Sequence, residues 1–139
     1  MNLSQSTEFY WLTLTLFMTG CFWLPYIVNR MLEQGILNAI WDPFGDAHTE
    51  KPWARRMMKA HSNAIENLVI FAPLVILIEI TGLNSATTAT ACMIYFFARL
   101  SHYIAFTLAI PVLRIVTFLT GFSVQILLAA VLLVAQSFT

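Results

Sequence analysis

Residues 9–29 carry no charged side chain, and three further apolar stretches follow, each close to the roughly 20 residues a helix needs to cross about 30 Å of hydrocarbon. In hydrocarbon the backbone polar groups must satisfy one another within the segment, so stretches of this length fold as membrane-spanning helices. Together they occupy nearly all of the 139 residues and leave no room for a soluble domain. Composition agrees, because only 10% of the residues are charged, against about one quarter in a soluble domain. The expected fold is all-α: a single integral membrane four-helix bundle over residues 1–139, with helices at about 9–31, 52–80, 86–109 and 111–137.

The boundaries rest on local signals. Pro52 and Pro111 suit the first turn of a helix, where a missing N–H costs nothing. Gly82-Leu83-Asn84-Ser85 supplies a tight turn, and Gly35, Asp42-Pro43 and Gly45 make residues 33–51 the one real loop. The first stretch exceeds the apolar core of a cleavable signal and no basic residue precedes it, so it reads as a retained span. Tyr10, Trp11 and Trp53 fit anchoring at the membrane surfaces. Cys21 and Cys92 have neither disulfide nor metal-site spacing, and His48 has no partner at ligand spacing, so no metal is expected.

The seven basic residues are placed unevenly. Arg30, Lys51, Arg55, Arg56 and Lys59 follow the first span, Arg114 opens the fourth, and Arg99 lies within the third. The positive-inside rule then puts the first loop and the turn between spans three and four in the cytoplasm, with both termini outside. Nothing supports a nucleic-acid partner. Short loops, a retained first span and the lack of disulfide spacing suit a bacterial inner membrane or an internal eukaryotic membrane, and the bacterial inner membrane is the expectation.

The polar residues inside the spans carry the functional information. In the second span, positions 59, 62, 63 and 66 hold Lys59, Ser62, Asn63 and Glu66 at the spacing of one helical face. The third span shows the same spacing in Arg99, His102, Tyr103 and Phe106. At 1.5 Å per residue, Glu66 lies about 21 Å from the Ile80 end of its span, and Arg99 and His102 about 20 and 24 Å from Ala86. A lone charge at that depth costs several kcal/mol, so Glu66 and Arg99 are expected to form an ion pair. Such a pair could be purely structural, with Asn63 and His102 as interhelical hydrogen-bond partners. It leaves Arg30, Lys59 and Arg114 with few acids to match, which points to an anionic ligand. Glu79 reads as a solvated helix-end carboxylate. No Ser-His-Asp or Cys-His arrangement can be assembled, so a nucleophile would have to come from the ligand.

The segment Arg55-Arg56-Met57-Met58-Lys59-Ala60-His61-Ser62-Asn63-Ala64-Ile65-Glu66-Asn67 resembles the second-span signature of the MAPEG superfamily, membrane-associated proteins of eicosanoid and glutathione metabolism. That signature is roughly Arg-Ala-His/Gln-x-Asn-x-x-Glu, with Lys59 here replacing its first arginine. Tyr95-Phe96-Phe97-Ala98-Arg99-Leu100 is similar to the Phe-Ala-Arg-Leu run of leukotriene-C synthases, and His102 falls where prostaglandin-E synthases have a histidine. The resemblance implies a homotrimer with glutathione sites between subunits, opening toward the cytoplasm. It also implies that Arg30, Lys59, His61, Asn63, Glu66 and His102 contact glutathione, and that Arg114 stands beside its sulfur. A cation there favours thiolate over thiol. The expected function is a glutathione-dependent transferase or peroxidase acting on lipophilic electrophiles or lipid hydroperoxides that arrive from the membrane lipid. Phe106 and Phe118 stand where several eicosanoid enzymes have tyrosines, and Ile115 where prostaglandin-E synthases have serine. These departures keep open a non-catalytic lipid-binding or accessory membrane subunit.

Overall fold

The computed structural model describes residues 6–43 and 49–137. Gly45 and His48 lie outside the described residues. Among the described residues six helices form: α1 (Thr7–Cys21), α2 (Leu24–Gln34), α3 (Ile36–Ile40), α4 (Pro52–Thr81), α5 (Ala86–Thr107) and α6 (Pro111–Gln136). The expected first helix is therefore two helices. Pro25 has no N–H to offer the Cys21 carbonyl, and its ring crowds that turn, so the helix breaks at Phe22–Trp23. The break is sealed from α5, where the Tyr103 hydroxyl donates to the Phe22 carbonyl at 2.7 Å and the two rings stack 3.8 Å apart.

Thr7–Gln34, Pro52–Thr81 and Pro111–Gln136 are long and apolar enough to cross a membrane. At 22 residues α5 is about 33 Å long, but its threonines, Arg99 and His102 make it more polar than the other three. It is also the best-enclosed element, packed against α6, α4 and α1. Outward-facing side chains such as Val69, Ile80, Val112 and Leu133 are more than 60% exposed, a surface suited to lipid rather than water. The protein is an integral membrane protein.

Lipid gives apolar side chains no reason to leave it, so the bundle is held by close packing and by satisfied polar groups. Phe71 and Tyr95 stack 3.6 Å apart at the centre, flanked by Val75, Cys92, Val124 and Leu128. Ala60 and Ala64, both buried, let α4 approach the Phe22–Tyr103 stack closely.

Two turns of one design connect α4 to α5 and α5 to α6. At the first, Leu83 N–H bonds the Ile78 carbonyl and Gly82 N–H that of Glu79, with Gly82 left-handed at φ 69°. At the second, Ile110 N–H bonds Ala105 and Ala109 N–H bonds Phe106, with Ala109 at φ 58°. Alanine pays there for a conformation that glycine adopts freely. The second turn is tied down by Arg56, whose Nε donates to the Thr107 carbonyl at 2.8 Å.

Candidate functional site

Arg99 is 2% exposed at the middle of the bundle. Its guanidinium donates to Asn63 Oδ1 at 3.4 Å and to the Phe118 carbonyl at 3.2 Å, and lies over the Tyr95 and Phe118 rings at 5.3 and 5.4 Å. Gly121 makes the room, since a Cβ there would stand 2.2 Å from Nη2. The expected ion pair with Glu66 does not form in this single chain. Ala60, Ala64, Asn67 and Phe71 supply the inward face of α4, whereas Glu66 lies about 100° from Asn67 around the helix and is exposed. Carbonyl, amide and π faces take the place of a carboxylate around Arg99, and its Nε has no hydrogen-bond partner among the described residues.

One turn further along α5, His102 is buried with its Nδ1 3.0 Å from the Arg114 carbonyl and 3.3 Å from Thr117 Oγ1. Its Nε2 is buried without a hydrogen-bond partner among the described residues. Arg114, in the first turn of α6, stands over the Phe106 ring at 4.9 Å. Asn63, His102, Phe106, Arg114, Ile115, Phe118 and Leu119 line an open-mouthed cavity of about 230 Å³. Three of the expected site residues therefore share a cavity, and the three residues that lack hydroxyls line the same space. Two grooves of about 670 and 700 Å³ lie between α5 and α6 toward the α4–α5 turn, but no ionisable side chain lines either.

The remaining expected site residues face elsewhere. His61 is about 200° around α4 from Asn63, and its Nδ1 meets the Tyr26 hydroxyl at 2.8 Å beside Phe22. Arg30, expected to lack a nearby acid, forms an ion pair with Asp42 and donates to Gln34 Oε1 at 3.4 Å. The loop folds back onto α2, a contact that spacing along the chain does not announce. Lys59 is exposed, like Glu66. In one chain the candidate residues thus fall into a cavity group (Asn63, His102, Arg114), with Arg99 behind it on Asn63, and a group on the α2 side (Arg30, His61).

Glu79 is also not solvated. It is 8% exposed and accepts from Asn84 Nδ2 at 2.7 Å, while Glu8, 3% exposed, accepts from Thr88 Oγ1 at 2.5 Å and from Ser85 N–H at 3.3 Å. A carboxylate beside the first turn of α5 is favoured by the helix dipole as well as by these donors. Tyr26, Thr117 and Gly121 escaped the sequence reading. Thr117 lies three residues past Arg114 and so shares its face, and Gly121 is the small residue that a buried arginine on a neighbouring helix requires.

Residues 10–134 match the family model described as the MAPEG family. No curated protein and no solved structure matches the chain.

Proposed function

The chain belongs to the MAPEG family, and on that premise we propose that it is a membrane-bound glutathione-dependent transferase or peroxidase acting on lipophilic electrophiles or lipid hydroperoxides. The observation that carries this reading is the cavity in which Arg114 stands beside His102, next to Arg99, with no carboxylate on its lining. Glutathione supplies two carboxylates, an ammonium group and a thiol that becomes the nucleophile. Arg114, at the positive end of α6, suits the sulfur and favours the thiolate. Asn63 is placed to bridge to the peptide backbone.

The split between the two groups supports a homotrimer. A ring of identical copies joins two different faces of each subunit, so the α2 side of one copy, with Arg30 and His61, would meet the α4–α6 side of the next. Lys59 and Glu66, on the exposed face of α4, would then be covered rather than turned to lipid, where an ionisable group costs several kcal/mol. Lys59 and Arg30 would bind carboxylates, and Glu66 the ammonium group. By the positive-inside rule the end bearing the α5–α6 turn faces the cytoplasm, in a bacterial inner membrane, with the termini outside.

Calorimetric titration of the detergent-solubilised protein with glutathione tests the reading. Binding at millimolar ligand or below, with turnover on an apolar electrophile that falls in Arg114→Ala far more than affinity does, is the expected result. A second reading has its own observation: Phe106, Ile115 and Phe118 leave the cavity without a hydroxyl. A non-catalytic lipid-binding or accessory subunit would show no glutathione binding at millimolar concentration.

A further inference from the structure

His102 is held by its back edge. The Arg114 carbonyl can only accept a hydrogen bond, so the 3.0 Å contact requires a proton on Nδ1. Thr117 Oγ1 does not change this, because it donates to the Leu113 carbonyl at 2.7 Å and turns a lone pair toward the ring. A neutral imidazole with its proton on Nδ1 carries a bare lone pair on Nε2. That atom is buried and unpartnered, in a side chain 4% exposed. A buried acceptor without a donor costs about 1–3 kcal/mol, so its donor is expected to arrive with the ligand.

The surroundings identify that donor. Of the cavity-lining side chains, Phe106, Ile115, Phe118 and Leu119 are apolar, Asn63 does not take up protons, and Arg114 is already a cation. His102 alone can receive a proton there. The imidazole and the Arg114 guanidinium flank the same Phe106 ring, at 5.7 and 4.9 Å, so a base and a cation adjoin one small space. At about 230 Å³ that space falls below the roughly 300–1,000 Å³ of sites that enclose a whole drug-sized ligand, and it suits the thiol end of the tripeptide.

We propose that His102 Nε2 is the group that takes the thiol proton, a role that rests on the glutathione reading above. The S–H bond breaks, its proton forms the Nε2–H bond, and the electron pair stays on sulfur beside the Arg114 guanidinium. The proton then passes to the anion that the electrophile releases, which restores neutral His102. Arg114 thus serves twice, its carbonyl orienting the base and its side chain holding the thiolate. With phenylalanines and isoleucine at 106, 118 and 115, no hydroxyl competes for the proton.

The test is the rate at which the ultraviolet thiolate absorbance appears when glutathione is mixed with the reconstituted full chain near neutral pH. His102→Gln should slow that step by about 100-fold or more, the lower end of what a positioned acid–base group supplies, while calorimetric affinity for glutathione changes only a few-fold. Equal rates in wild type and variant would overturn the role of His102 and leave the glutathione reading intact. Absence of thiolate and of binding in the wild type would overturn both. Because His102→Gln could unfold the bundle, nitrogen NMR of histidine-labelled wild type supplies a second check. The expected state has the proton on Nδ1 and an Nε2 resonance that moves on glutathione addition. A proton found on Nε2, or a resonance unmoved by saturating glutathione, would refute the assignment.

Discussion

At the end where α4 turns into α5, Glu8 is buried among donors from Thr88, Ser85 and Ser6, and Glu79 accepts from Asn84. Deeper in the bundle, toward the α5–α6 turn, Arg99 Nε and His102 Nε2 are equally buried and have no hydrogen-bond partner among the described residues. Both regions place ionisable groups out of contact with solvent, so burial alone does not distinguish a site from a brace. Satisfaction does. A buried carboxylate with its donors in place ties α1 to α5 and needs nothing more, whereas a cluster of cations and an unpaired acceptor lacks what an anionic, proton-bearing ligand brings. The acidic end is a clasp, and the basic cluster is what the proposed function makes a receptor.

Substitutions at the two regions should therefore separate stability from function. The largest effect belongs to Arg114→Ala, which should lower turnover about 100- to 1,000-fold, the range seen when one preorganised electrostatic group is removed, with a melting temperature near that of wild type. Glu8→Leu should do the reverse. It removes the acceptor that ties α1 to α5, while Ser85 N–H keeps Thr88 Oγ1 and the Thr88 hydroxyl keeps the Ser85 carbonyl, so it should cost about 1 kcal/mol in thermal or denaturant unfolding and leave glutathione affinity unchanged. If instead Glu8→Leu abolished ligand binding, the clasp and the receptor would be one system.

Gly121→Ala places a methyl group against the Arg99 guanidinium and should cost about 1–3 kcal/mol through displacement of that side chain, with weakened glutathione binding as a second readout. Arg99→Met sharpens the contrast most. A buried cation with no carboxylate beside it contributes little to the fold, so unfolding free energy should stay within about 1 kcal/mol of wild type or rise, while glutathione-induced stabilisation is lost. The smallest change is Ala109→Gly, which relieves the left-handed backbone at the α5–α6 turn. It should raise stability by about 0.5 kcal/mol without altering turnover.

Much of this molecule was legible before any coordinates. Pro52, Pro111 and the Gly82 turn placed three helix starts or stops within a residue or two of where they occur, because capping and turn chemistry act over a few residues. Pro25 was equally visible, and its effect was missed because a proline in a long apolar run is often absorbed by neighbouring helices. The candidate site was half legible. Asn63, His102 and Arg114 meet around one cavity, yet Glu66 faces away from Arg99 and Arg30 meets Asp42.

Sequence alone determined that the chain lives in a membrane and that proline and glycine punctuate its later helices, since apolar length and turn chemistry are local quantities. Only the tertiary structure decided which polar residues face one another. A 3.6-residue period fixes angles around one helix and says nothing of how that helix is rotated against its neighbours. The Phe71–Tyr95 stack, the alanines of α4 and the gap at Gly121 set that rotation here, turning Arg99 and His102 inward and Glu66 outward.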